Sequence, residues 1–175
     1  MKKILIVVAA LMIIIVNNKS KDELIIPDTS IRFRVIANSN TLEDINEKNK
    51  LSNYLDTKIF EFVKNSTSVT EAKQALTDNK TKISSIIDEY LLNNRINYGY
   101  DLAIGENYFP TKYYKGVKYK AGYYDSIVIK LGSSSGMNWW CVIYPPLCLI
   151  DEENNKDIEY TSLIKEVMEK YKNRL

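Results

Sequence analysis

Residues 90–105 read Tyr90-Leu91-Leu92-Asn93-Asn94-Arg95-Ile96-Asn97-Tyr98-Gly99-Tyr100-Asp101-Leu102-Ala103-Ile104-Gly105. The hydrophobic period changes inside this stretch. Up to Leu91 the apolar residues fall at helical spacing: Ala72, Leu76, Ile83, Ile86, Ile87, Tyr90 and Leu91 share one stripe, and Ser68 with Glu71 supplies an N-cap signal. Beyond Asn93-Asn94 the pattern alternates. Tyr98, Tyr100, Leu102 and Ile104 line one face of a strand that Gly105 is expected to end.

Working outward, the N-terminal side repeats the contrast. Ile31-Arg32-Phe33-Arg34-Val35-Ile36-Ala37 alternates as a strand, with Ile31, Phe33 and Val35 on one face and Arg32 and Arg34 on the other. Asn38-Ser39-Asn40 ends it. Thr41 and Asp44 then resemble a capping box ahead of Leu51, Leu55, Ile59 and Phe62, which predicts a helix over about 42–64. Asn65-Ser66-Thr67 separates this helix from the one running to Leu91.

On the C-terminal side, a Tyr/Lys-rich segment from Tyr108 to Tyr124 is broken by Pro110, Gly116 and Gly122 and reads as a short hairpin or long loop. Asp125 to Leu131 and Trp139 to Tyr144 read as strands, parted by Gly132-Ser133-Ser134-Ser135-Gly136. A last amphipathic helix is predicted over about 161–173, through Leu163, Ile164, Val167, Met168 and Tyr171. Strand, two helices, several strands, helix is an α+β order: one domain over 30–175, a largely antiparallel sheet with helices on one side.

The first 18 residues differ in kind. Lys2-Lys3 precede the apolar run Ile4 to Val16, which is shorter than the ~20 residues a spanning helix needs and reads as a signal peptide or signal anchor. Residues 19–29 read as a polar linker. Removal of residues 1–18 leaves 22 basic residues against 22 acidic ones. A balance that even argues against a nucleic-acid partner, which selects a basic surplus. Export is expected, with transient membrane association through residues 4–16.

Histidine is absent from all 175 residues. That removes Ser-His-Asp and Cys-His nucleophile systems and His-based zinc sites. Ser162-Leu163-Ile164-Lys165 has SxxK spacing, but in an amphipathic helix and without the companion motifs of that chemistry. Asp151-Glu152-Glu153-Asn154-Asn155-Lys156-Asp157 lacks the glycine and alternation of a calcium loop and reads as a solvated turn. No phosphate loop is present. The expectation is no metal, no cofactor and no catalytic residue.

Gly136-Met137-Asn138-Trp139-Trp140-Cys141-Val142-Ile143-Tyr144-Pro145-Pro146-Leu147-Cys148 holds both tryptophans and both cysteines of the chain. Cys141 and Cys148 leave two readings open, a disulfide or two buried thiols. Adjacent strand residues face opposite sides, so one tryptophan can fill the core while the other serves as a binding anchor.

These stretches carry a family resemblance. IRFRVIANS (Ile31 to Ser39), ENYFPTK (Glu106 to Lys112), AGYYDSIVIKLG (Ala121 to Gly132) and GMNWWCVIYPPLC are similar to stage II sporulation protein R of endospore-forming bacteria. Asn40, Lys120 and Ser133-Ser134-Ser135 depart from the family's pattern. The resemblance implies a protein made in the forespore and exported into the space between forespore and mother cell. There it would activate a membrane-embedded aspartic protease that processes the pro-sigma-E precursor. Contact residues expected for that partner are Arg32, Arg34, Asn38, Asn138, Trp139, Trp140 and Tyr144. Two alternatives stand beside it: a cell-wall glycan-binding module built on the Tyr/Lys segment, and a carboxylate hydrolase.

Overall fold

The computed structural model describes residues 24–114, 117–150 and 157–175. The signal segment, the first part of the linker and nearly all of the acidic run from Asp151 lie outside these residues. The elements are β1 (Leu24–Ile25), β2 (Ile31–Ile36), α1 (Leu42–Val63), α2 (Val69–Asp78), α3 (Lys80–Asn93), β3 (Tyr100–Phe109), β4 (Lys112–Tyr114), β5 (Val117–Tyr119), β6 (Gly122–Leu131), β7 (Asn138–Tyr144) and α4 (Asp157–Tyr171). A 3-10 turn, Leu147–Leu149, follows β7. The class is α+β.

Four strands form the main sheet in the order β3-β6-β2-β7, and β1-β5-β4 form a second, smaller one. The three neighbouring pairs of the main sheet are not uniform: β2 runs parallel to β6, while β3–β6 and β2–β7 are antiparallel. The parallel pair needs a long crossover, which the three helices and strands β3 to β5 supply. In the second sheet β4–β5 is antiparallel and β1–β5 parallel. Leu24 to Thr29, read from sequence as the end of a linker, is therefore built into the fold. Ile26 is fully buried there among Val117, Leu147 and Ile164.

Helix α1 begins where its caps predict. The Thr41 hydroxyl accepts from the Asp44 backbone N–H at 3.2 Å, satisfying one of the donors a helix start leaves open. The Asp44 carboxylate in turn accepts from Ser39 Oγ at 2.5 Å and Asn38 Nδ2 at 3.0 Å. These bonds, Ser39's foremost, hold the Asp44 carboxyl below its ordinary range. Leu51, Leu55, Ile59 and Val63 are buried on one stripe. The second predicted helix is two, α2 and α3. Asn79 separates them, its side chain turned back to the Ala75 carbonyl at 2.8 Å. A short amide that bonds local backbone competes with helix continuation, which is why the apolar stripe survives a break in the axis.

The helical layer covers one face of the main sheet. Phe33, Val35, Ile127, Ile129 and Leu131 meet Leu55, Ile59, Leu76, Ile83 and Ile87, all essentially without solvent contact. Helix α4 sits apart from that layer. Its Tyr160 and Ile164 join the second buried cluster, while Tyr171 and the half-buried Val167 reach the main core. Gly105 does not end β3. Its φ of 142° lets the strand turn and keep its register with β6 as far as Phe109.

Candidate functional site

Strand β7 positions most of the predicted site, and one irregularity decides which side chains it presents. Along β2–β7 the register runs Ile36↔Asn138, Val35↔Trp139, Arg34↔Trp140, Phe33↔Cys141 and Arg32↔Val142. It then jumps to Ile31↔Tyr144. Ile143 is the extra residue of a β-bulge, so Ile143 and Tyr144 both turn to the helical core. By strict alternation Tyr144 would face the same way as Asn138 and Trp140. Instead it is fully buried, with its hydroxyl donating to the Ser66 carbonyl at 3.0 Å and its ring edge-on to Tyr171. Tyr144 is a core residue, not a contact.

The two tryptophans do part. Trp139 packs edge-on against Phe33, with centroids 5.4 Å apart, on the helical face. Trp140 packs on Phe109 at 5.5 Å on the opposite face, and both are half-buried. Cys141 and Cys148 are joined as a disulfide across a Cα–Cα distance of 5.4 Å, with the cis Tyr144-Pro145 bond in the bend between them. The bridge folds the 3-10 turn back beside β7. Replacing both cysteines with serine is expected to cost about 2–3 kcal/mol, the chain-entropy value for so short a loop. Urea denaturation of the variant beside the oxidised protein measures it, and an unchanged midpoint would contradict it.

Among the described residues Arg32 is the largest fully buried side chain. Its guanidinium lies 3.3 Å from the Tyr124 ring centroid and 5.3 Å from that of Phe109, and Nη2 donates to the Lys120 carbonyl at 3.3 Å. Nε and Nη1 are buried without a hydrogen-bond partner. Burial pulls its pKa below the ordinary arginine value, with Tyr124 and Asp28 opposing. Arg34 is held over Phe109 at 4.7 Å and donates to the Tyr108 carbonyl at 3.4 Å. Both arginines are thus stacked on aromatic faces, where cation–π attraction offsets part of their desolvation.

Asn38 is placed elsewhere. Its Oδ1 accepts from the Ser133 N–H at 2.9 Å, and its backbone carbonyl accepts from Ser133 and Ser135 hydroxyls. It ties the end of β2 to the 132–136 turn and to α1. Gly132, with a φ of 50°, has no room for a Cβ beside the Asn38 side chain.

Arg32, Asn138, Trp139, Trp140 and Cys141 come together on a cavity of about 210 Å³. Lys112 and Tyr114 of β4 form another wall, and Val142, Leu147 and Tyr160 contribute apolar surface. Lys112 Nζ lies 5.0 Å from the Trp140 ring. Sequence reasoning took Lys112 and Tyr114 only as part of a tyrosine-rich segment and missed Tyr160 altogether. No local pattern announces that three distant segments converge. Lys48 was also missed, although it sits on the inward stripe of α1, three residues before Leu51. It is 4% exposed and donates to the Met137 carbonyl at 3.4 Å, just before β7; burial and then the charge of Lys112 lower its pKa. Among the described residues no cluster of acidic or cysteine side chains could hold a metal, and no helix is long and apolar enough to cross a membrane.

Over residues 27–154 the chain matches the family described as stage II sporulation protein R. It is 34% identical over 142 residues to stage II sporulation protein R of Bacillus subtilis (strain 168). That alignment takes in 81% of this chain and 63% of the relative, so the chain spans less than two thirds of that protein's length. No solved structure matches. The matched region holds β7 and every cavity residue except Tyr160.

Proposed function

This chain belongs to the stage II sporulation protein R family and has a role in sporulation, and from that premise we propose that it is an exported signalling ligand. Made in the forespore and carried across its membrane by the segment 4–16, it acts in the space between the forespore and mother-cell membranes. Its receptor is the membrane-embedded aspartic protease that processes the pro-sigma-E precursor. Binding favours the active form of that protease, a population shift driven by differential affinity. The observation that carries this reading is the family match across residues 27–154, which includes both edge strands of the cavity.

The chemistry of the cavity supports it. A half-buried tryptophan beside two cations in a concave site is the composition of a protein-binding hot spot. Co-expression of the full chain with the protease and its precursor in a non-sporulating host tests the proposal. Precursor processing is expected only when this protein is present and exported; processing of equal extent without it would overturn the reading.

A second reading, a glycan-binding module of the cell wall, draws on Tyr108, Tyr113 and Tyr123, which are 52%, 62% and 68% exposed. Tyr108 and Tyr123 form a cross-strand pair at 5.5 Å. Sedimentation with purified peptidoglycan separates the two, since the signalling ligand stays in solution.

A further inference from the structure

We propose that residues 24–29 form a latch on the receptor-binding cavity, supporting its apolar wall when docked. Leader removal upstream of Leu24 then leaves a competent ligand, whereas cleavage inside the latch leaves a folded but silent one. This rests on the signalling reading above and adds residues outside the cavity that govern it. The family match begins at residue 27, so Leu24, Ile25 and Ile26 lie outside it.

Three observations carry it. First, the latch is wedged behind the cavity wall. Ile26 is fully buried and shares one buried cluster with Tyr119, Val142, Leu147 and Tyr160, all of which line the cavity. Ile26 is not itself a lining residue, so it supports that wall from behind. Its N–H donates to the Lys118 carbonyl at 3.2 Å, continuing the parallel pairing of β1 with β5. Protein interiors are close-packed, so withdrawing Ile26 leaves space into which the wall relaxes, and the cavity changes shape.

Second, the latch reaches the cavity's arginine. The Tyr124 hydroxyl donates to Asp28 Oδ1 at 3.3 Å and to the Lys120 carbonyl at 3.0 Å, and the Arg32 guanidinium lies on the same tyrosine ring. Asp28 also acts on Arg32 through its charge. A buried cation depends on such oriented partners. Ser30 closes the segment: its N–H and its hydroxyl both donate to the Pro27 carbonyl, at 3.2 Å and 2.8 Å. Asp28 is thus a positioning residue for Arg32.

Third, the latch can leave without opening the main core. The cluster that holds Phe33, Leu55, Ile83 and Ile127 contains no residue of 24–29. β1 is two residues long, takes the outer position of its sheet and, among the described residues, pairs with β5 alone. Leu24 is half-buried, Ile25 is 41% exposed, and Asp28 and Thr29 are exposed. A segment held by so few buried contacts opens locally at a free energy well below that of global unfolding. Residues 17–23 are all that separates the latch from the apolar run ending at Val16, so whatever processes the leader acts beside it.

The test uses the full chain, recovered after export, and two-dimensional amide and indole NMR. Ile26→Asp, a charge at a position with no solvent contact, is expected to undock the latch. The Trp140 indole and the Leu147 and Tyr160 amides should then leave their native positions, while the Leu55, Ile83 and Ile127 amides keep theirs. Precursor processing in the co-expression host should fall at least tenfold. Ile26→Ala, a milder change, should give the same pattern in smaller degree. Leu92→Ser, at a helix position 78% exposed, should change neither readout. Asp28→Asn should move the Arg32 Nε–H signal with the Leu147 amide unchanged, and an unmoved Arg32 signal would remove the positioning role. The blocked peptide Ac-Glu-Leu-Ile-Ile-Pro-Asp-Thr-NH2, which copies residues 23–29, should restore the native Trp140 signal saturably in the Ile26→Asp protein. Native Trp140 signals and full processing in both Ile26 variants would overturn the proposal and leave the signalling reading in place. Loss of the main-core amides in both variants, or failure of the peptide to rescue, would overturn it too. The NMR readout needs no receptor: the expected shifts and rescue, with a parent protein that supports no processing, keep the latch and remove the signalling reading.

Discussion

Phe33→Ala is expected to destabilise the protein by about 3–5 kcal/mol, the range for deleting a fully buried phenylalanine when its surroundings cannot close the cavity. Phe33 has no solvent contact and occupies the helical face of β2, between Cys141 on β7 and Ile127 on β6. Trp139 packs edge-on against it at 5.4 Å, so the substitution also removes an aromatic pair. β2 itself is held by ladder bonds to β6 on one side and β7 on the other and can move little. Against a typical total of about 5–15 kcal/mol, such a loss approaches unfolding. Leu42→Ala serves as the control, since Leu42 is 75% exposed and its loss should stay within about 0.5 kcal/mol. Urea denaturation of the two variants beside the parent makes the comparison. A Phe33→Ala loss under about 1 kcal/mol would mean the sheet and helices are not packed as described.

Trp140→Ala is expected to weaken receptor binding about 30-fold or more while leaving a folded, exported protein. The magnitude follows from the ~2 kcal/mol that marks an interface hot spot, converted at ~1.4 kcal/mol per tenfold. Trp140 is half-buried, rests on Phe109 and borders the cavity beside Lys112. Its truncation removes cavity wall but no part of the helical core. Trp139→Ala should behave in the opposite sense, lowering thermal stability by its loss from Phe33 and affecting signalling through the unfolded fraction. Processing in the co-expression system, read beside the thermal midpoint of each variant, distinguishes the two. A Trp140→Ala protein that stays folded and supports full processing would remove this tryptophan from the interface.

The pair illustrates how far alternation along a chain can be read. Adjacent tryptophans in a strand must face opposite sides, and they do. The same rule extended two residues beyond Val142 fails, because the bulge at Ile143 reverses the phase and sends Tyr144 into the core. A bulge depends on the partner strand and leaves no mark in the local pattern. Asn38 shows a related limit. An asparagine at a strand end can face a partner or bond local backbone, and the approach of the 132–136 turn settles it in favour of the backbone.

The sequence by itself determined the α+β class, the inward faces of β2, β3, β6 and α1, the helix starts at Thr41 and Ser68, and the family. These follow from periodicity, capping chemistry and residue order, which act over a few residues. Only the tertiary structure decided the parallel pairing of β2 with β6, the incorporation of Leu24 and Ile25 into a second sheet, the Cys141–Cys148 bridge and the cavity shared by β2, β7 and the second sheet. Apart from the bridge, which spans seven residues and depends on the bend between its cysteines, each joins segments from distant parts of the chain: Arg32 lies 80 residues from Lys112 and 108 from Trp140. Such contacts are selected by which packing buries the most apolar surface while sparing the most polar groups, a property of the whole chain that no short window contains.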